Sequence, residues 1–106
     1  MPLQSQETDP SSRPQPGTHH FLIQAEPEAS VLSRVLELFA LRSLLPTEVN
    51  CKRAADQDGE LHIRIAMPGL PPEKAAHLAA RMRNIIPVTR VVLDVMSQEV
   101  VHSTRP

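Results

Sequence analysis

The sequence predicts an α+β sandwich, with two helices packed on one face of a four-stranded antiparallel sheet. Three observations lead there. Two stretches repeat apolar residues with the 3.6-residue period of a helix, and four shorter stretches are apolar or alternate with a period of two. Their order along the chain is strand, helix, strand, strand, helix, strand, and Pro or Gly punctuates most of the junctions.

The first strand is expected over residues 20–25 (HFLIQA), between a Pro/Gly-containing segment and Pro27. Alternation places Phe21, Ile23 and Ala25 on one face and His20, Leu22 and Gln24 on the other. A helix follows over about 28–43. Leu32, Val35, Leu36 and Phe39 fall at i, i+3, i+4 and i+7, and Leu38 and Leu41 widen that face. Pro27 suits a first turn, Glu26 and Glu28 suit the positive end of the helix dipole, and Pro46 closes the far end. Residues 47–55 read as a strand with one wet face, Val49 and Cys51 alternating with Asn50 and Lys52. Asp58-Gly59 then signals a hairpin. The cleanest strand is 60–67, in which Leu61, Ile63, Ile65 and Met67 alternate with His62, Arg64 and Ala66. A Pro-rich loop over 68–72 leads into the second helix. Ala75, Leu78, Ala79, Met82, Ile85 and Ile86 form its apolar face, and Pro87 stops it. Residues 88–96 (VTRVVLDVM) supply the last strand.

This order is the ferredoxin-like βαββαβ arrangement, and right-handed crossovers put both helices on the same side of the sheet. The first and third strands become central, the second and fourth become edges. The second strand has no Pro between Thr47 and Ala55, which leaves it open to pairing with another chain and makes it the expected homodimer edge. Residues 1–18 and 97–106 read as tails, the former rich in Pro, Ser and Gln, and the domain is expected over 19–96. A domain of this size buries only about 60% of the surface its unfolded chain exposes, so self-association is a natural source of stability.

Composition narrows the function. A formal net charge of -1 gives no general attraction to nucleic acid or to an anionic membrane surface. There is no apolar run long enough to span a bilayer and no secretory leader pattern, and the single Cys51 suits a reducing compartment; a cytoplasmic protein is expected. An RNA-binding sheet of this topology stacks bases on aromatic side chains, whereas the two aromatics here, Phe21 and Phe39, both read as core. A copper-chaperone loop needs paired cysteines, and an acylphosphatase-type loop needs glycines around an anion. The segment after the first strand is instead Glu26-Pro27-Glu28-Ala29-Ser30. His19 and His20 point to opposite faces of a strand and so make a poor metal pair. No nucleophile–base pair or metal-ligand cluster can be assembled, so neither an enzyme nor a cofactor is expected.

The run Val31-Leu32-Ser33-Arg34-Val35, followed by Leu38-Phe39-Ala40 and Arg42, resembles the first helix of an ACT domain, in particular that of the small regulatory subunits of acetolactate synthase (acetohydroxyacid synthase). The segment from Ile85 to Val91 resembles the exit from their second helix, and the likeness extends over about 19–96. It implies a non-catalytic module that binds an effector amino acid, such as valine, at an interface between two domains. It further implies a thiamine-dependent catalytic large subunit as partner, in branched-chain amino acid biosynthesis. The effector loop of that family maps onto Glu26, Pro27, Glu28, Ala29, Ser30, Val31 and Leu32. There the ligand carboxylate meets backbone N–H groups at the helix start. Asn50 on the second strand would face the ligand across the dimer. The family's Pro-Gly pair falls on Ala29-Ser30 and its second Gly on Ser43. Other readings stand beside these. Glu26 and Glu28 also fit solvated acids at a helix start, Ser30 a helix cap, and Lys74, Arg81 and Arg83 a solvated helix face. The alternative of a different class is a stand-alone assembly or interaction module with no amino-acid ligand.

Overall fold

The computed structural model describes residues 17–56 and 59–96. The elements are β1 (Thr18–Ala25), α1 (Ser30–Ala40), β2 (Glu48–Arg53), β3 (Leu61–Pro68), α2 (Pro72–Arg83) and β4 (Val88–Met96). The four strands form one sheet in the order β2-β3-β1-β4, and every neighbouring pair is antiparallel. This is the ferredoxin-like fold, with β1 and β3 central. Residues 1–16 of the tail expected over 1–18, the tail expected over 97–106, and Asp58 of the expected hairpin turn lie outside the described residues.

The core forms where the two periodicities meet. Phe21, Ile23 and Ala25 of β1 and Leu61, Ile63, Ile65 and Met67 of β3 are buried beneath Val31, Val35 and Phe39 of α1 and Ala75, Leu78, Ala79 and Met82 of α2. Phe21 meets Phe39 edge to face, with ring centroids 5.5 Å apart and planes at 88°. That geometry adds roughly 0.5–1.5 kcal/mol to the burial of the two rings.

The structure corrects several element ends. α1 begins at Ser30, not near residue 28, and carries no acidic residue in its first turn. The reason is local. The Glu28 N–H donates to the Glu26 carbonyl at 2.8 Å, closing a γ-turn around Pro27 that redirects the chain before the helix starts. The buried line of α1 is Val31, Val35 and Phe39, with Leu32, Leu36 and Leu38 flanking it. Leu41, two residues past Phe39 and so about 200° around the helix, is 71% exposed.

The helix ends in a Schellman motif. Ser43 N–H donates to Ala40 O at 3.0 Å and Leu44 N–H to Phe39 O at 2.9 Å. Ser43 takes the left-handed position of this motif, at φ 56°. α2 likewise ends earlier than its apolar pattern suggests. Tight turns after Arg83 leave Ile85 half-buried and Ile86 87% exposed.

β1 starts at Thr18, two residues early, which brings His19 into the sheet. β2 is shorter than expected and exposed along its whole length. Val49 and Cys51 are paired with the buried Ile65 and Ile63 and so lie on the helix side, yet both are exposed, because the helix layer stops short of this edge. At the β2–β3 connection, Gly59 N–H lies 3.2 Å from Asp56 O and 3.1 Å from Asp56 Oδ1. Gly59 has φ 64°, and a Cβ there would stand 2.8 Å from the Arg53 guanidinium, so the turn requires glycine.

Candidate effector loop and the free edge of the sheet

Central strand β1 delivers the chain to the β1–α1 loop at Ala25. The Glu26 N–H donates to Pro87 O at 2.9 Å, tying the loop to the approach to β4. The γ-turn at Pro27 follows, and then Val31 N–H donates to Glu28 O at 3.2 Å. Glu26, Pro27, Glu28, Ala29 and Ser30 are all exposed; Val31 is fully buried and Leu32 half-buried. Val31 therefore anchors the loop to the core, and its side chain is not available to a ligand.

Ala29 occupies the N-cap position and no side chain caps the helix. Ser30, whose type suits a cap, is instead the first helical residue, and its carbonyl accepts from Ser33 Oγ at 3.1 Å. The first N–H groups of α1 thus start in an exposed loop without a side-chain acceptor, the electropositive arrangement that receives a carboxylate. Glu26 and Glu28 place negative charge on the same loop.

Asn50 is not part of this loop cluster. It pairs with Arg64, which in turn pairs with Leu22, whereas the loop leaves β1 after Ala25. Two strand spacings and three residues of strand, about 10 Å in each direction, separate them within one chain. A site using both would need a second copy.

The outer edge of β2 has a defined hydrogen-bonding phase. Ala54 N–H donates to Glu60 O at 2.8 Å, so the alternation of an antiparallel ladder turns the backbone groups of Glu48, Asn50 and Lys52 toward β3. Those of Val49, Cys51 and Arg53 point away from the sheet. Val49 on this strand is exposed at 41%, and in the α1–β2 connection before it Leu41 and Leu45 are exposed at 71% and 84%.

Two depressions stand out on the surface of the described residues. One, of about 460 Å³, lies between the end of α1 and the start of α2 and is lined by Arg42, Leu44, Leu70, Glu73, Lys74 and His77; Arg42 Nη1 there donates to Leu38 O at 2.9 Å. The other, of about 540 Å³, lies on the helix-free face of the sheet, where Lys52, Arg64 and Arg90 surround Leu22 and Val92. One feature was not singled out from the sequence, and for another, His19, the burial was not expected. The cationic groove draws on both edge strands, although period-two alternation in every strand contains its signal. His19 is 3% exposed on the helix side of β1, and its Nδ1 has no hydrogen-bond partner among the described residues. Burial, and secondarily the neighbouring His20, lowers its pKa below 6.5.

Among the described residues there is no cluster of three or more metal-ligating side chains. No helix among them is long and apolar enough to cross a membrane. The class of protein is set by the ferredoxin-like sheet with its exposed β1–α1 loop together with the family it matches. The chain belongs to the ACT-like domain family, whose model matches residues 13–100. Domains of this kind are typically regulatory and non-catalytic. The match is to the ACT-like domain as such and does not single out the acetolactate synthase subunits. Among solved structures, the chain is similar to the C-terminal domain of the MgtC protein from Mycobacterium tuberculosis, determined in solution. The two share 14% sequence identity at a TM-score of 0.63, over 79% of this chain and 92% of that one, a likeness of fold. No curated protein matches the sequence.

Proposed function

We propose that this chain is a non-catalytic, cytoplasmic regulatory module that takes a small amino-acid effector at the β1–α1 loop, between two copies joined along β2. The observation that carries the reading is the loop itself, in a member of the ACT-like family: exposed over residues 26–30, anchored by buried Val31 and leading into a helix start that no side chain caps among the described residues. The loop charges qualify the ligand. Glu28 opposes a carboxylate, and Ala29-Ser30 lacks the glycine that lets backbone and ligand approach closely. Valine and leucine are therefore expected to bind more weakly than ~1 mM, about 4 kcal/mol of binding free energy. Replacing Ser30→Gly together with Glu28→Asn is expected to strengthen valine binding measurably by calorimetry.

The resemblance of α1 supports a thiamine-dependent catalytic subunit of the acetolactate synthase type as the regulated partner. A thermal-shift screen against the twenty amino acids, followed by calorimetry, tests effector binding. Tight valine binding by the unaltered chain would show that the loop does not need the missing glycine. The second reading, an assembly module without ligand, draws on the uncovered β2 edge and its apolar flank. It is favoured if no amino acid binds and a catalytic subunit co-purifies.

A further inference from the structure

The helix-free face of the sheet carries its charges in rows. The strand register aligns Glu48, Ala66, His20 and Asp94 across the four strands, then Asn50, Arg64, Leu22 and Val92, then Lys52, His62, Gln24 and Arg90. One outer row is thus acidic at both of its ends and the other is basic at both of its ends. The row between them holds the exposed apolar residues Leu22 and Val92. Asp94 also accepts the N–H of Val95 through Oδ1, at 2.9 Å, and keeps its second oxygen for another partner. Among the described residues the one ion pair is His62–Glu60, and none of them offers Glu48, Lys52, Arg90 or Asp94 an opposite charge at ion-pair distance.

We infer that this face is an interface with a second copy of the same chain, the two sheets stacked face to face about a two-fold axis that runs along the middle row, across the strands. Rotation about that axis leaves each strand over its own mate and exchanges the outer rows. Glu48 then lies over Lys52 of the second copy, Asp94 over Arg90, and Leu22 and Val92 over themselves, which is the self-complementarity an isologous dimer requires. The charges also select this axis over the other simple one. A two-fold axis parallel to the strands would set Glu48 over Asp94 and Lys52 over Arg90, like against like in both rows. Arg64 meets its own mate near the axis. Glu48, its diagonal neighbour across the β2–β3 pair, is about 7–8 Å away, within the span of an arginine side chain.

The available area fits such a dimer. Eight residues of β1 by four strands give a face of about 26 by 19 Å, a footprint of roughly 500 Å² before the relief of the side chains is counted. A standard interface takes about 800 Å² of accessible surface from each partner, so this face lies at the small end of specific interfaces, and its strength rests on the charge pairs more than on its area. The inference uses neither the β1–α1 loop nor the β2 edge, and stands or falls apart from the effector reading.

Complementary charge reversal tests it, in a Val49→Pro background that blocks edge pairing. One variant carries Lys52→Glu and Arg90→Glu, which makes both outer rows acidic; the other carries Glu48→Lys and Asp94→Lys, which makes both basic. All four positions are exposed, so each variant should melt close to its parent, a check made by circular dichroism. Light scattering and native mass spectrometry are expected to find the parent dimeric at tens of micromolar, each variant alone monomeric, and their equimolar mixture restored to a 1:1 heterodimer. A parent that stays monomeric up to about a millimolar, where even a weak specific pair associates, overturns the inference. So does a pair of variants that self-associate as the parent does, or a mixture that fails to form the heterodimer.

Discussion

Ser43→Gly should stabilise this protein, and the reason lies in one backbone angle. Ser43 sits at φ 56° as the left-handed residue of the Schellman motif that ends α1. For a residue with a Cβ that conformation costs roughly 1–2 kcal/mol. Glycine removes this cost but gives back about 0.4–1 kcal/mol through the greater freedom of its unfolded chain. The net gain is about 0.5–1 kcal/mol. In a domain of this size 1 kcal/mol corresponds to about 4–8 °C in Tm, so a rise of about 2–8 °C is expected in a calorimetric or circular-dichroism melt. Ser43 is exposed, and replacing its side chain empties no core space. Ser43→Ala is the control: it keeps the Cβ and should show no gain. If Ser43→Gly melts at or below the parent temperature, or Ser43→Ala rises equally, the left-handed strain is not what limits this helix end.

Three further outcomes can be measured. Phe39→Ala removes a buried ring that meets Phe21 edge to face, and should cost roughly 3–5 kcal/mol in a denaturant titration; a melt within a degree or two of the parent would remove Phe39 from the core. Val49→Pro deletes an N–H that points away from β3, so it should leave the fold intact while abolishing β2 edge-to-edge association by light scattering; an edge dimer that survives it must use another strand. His19 has its folded pKa below the unfolded value of 6.5, so the unfolded chain takes up its proton first as pH falls. Its contribution is full above about pH 6.5 and is lost on acidification through the window below it; a His19→Leu chain whose melting temperature falls as steeply between about pH 7 and 5.5 would exclude this origin.

What was legible in the sequence is what periodicity governs. The strand phases of Phe21/Ile23/Ala25 and Leu61/Ile63/Ile65/Met67 are those of the fold, because a one-residue slip would turn every apolar side chain to water. The element order followed from the same patterns. The errors fall at ends, where single residues compete. Pro27 suits a first helical turn, but a γ-turn takes it. Leu41 and Ile86 continue an apolar rhythm past the point where the helix has stopped. β2 alternates like a half-buried strand, but alternation reports only which way a side chain faces, and Val49 and Cys51 face a side that no helix covers. The burial of His19 was missed because it stands at the Gly17–Thr18 boundary of its strand, next to a second histidine.

The candidate loop shows the same division between what pattern reveals and what geometry adds. Its position after the first central strand follows from topology, so residues 26–32 could be marked in the sequence. Their roles could not be separated there. Val31 continues the i, i+4, i+8 line of Val31, Val35 and Phe39, and that line, not the loop, owns its side chain. Ser30 has the chemistry of a cap but sits one position inside the helix, leaving the cap to Ala29, which has no acceptor to offer. The consequence bears on binding. A side-chain cap would compete with a ligand for the first N–H groups of α1, and here that competitor is absent, while the carboxylate of Glu28 stands on the approach. Any ligand held at this helix start must therefore offer an acceptor to the amides and tolerate, or use, the neighbouring negative charge. An amino acid carries both groups, and which of them dominates is what Glu28→Asn reports.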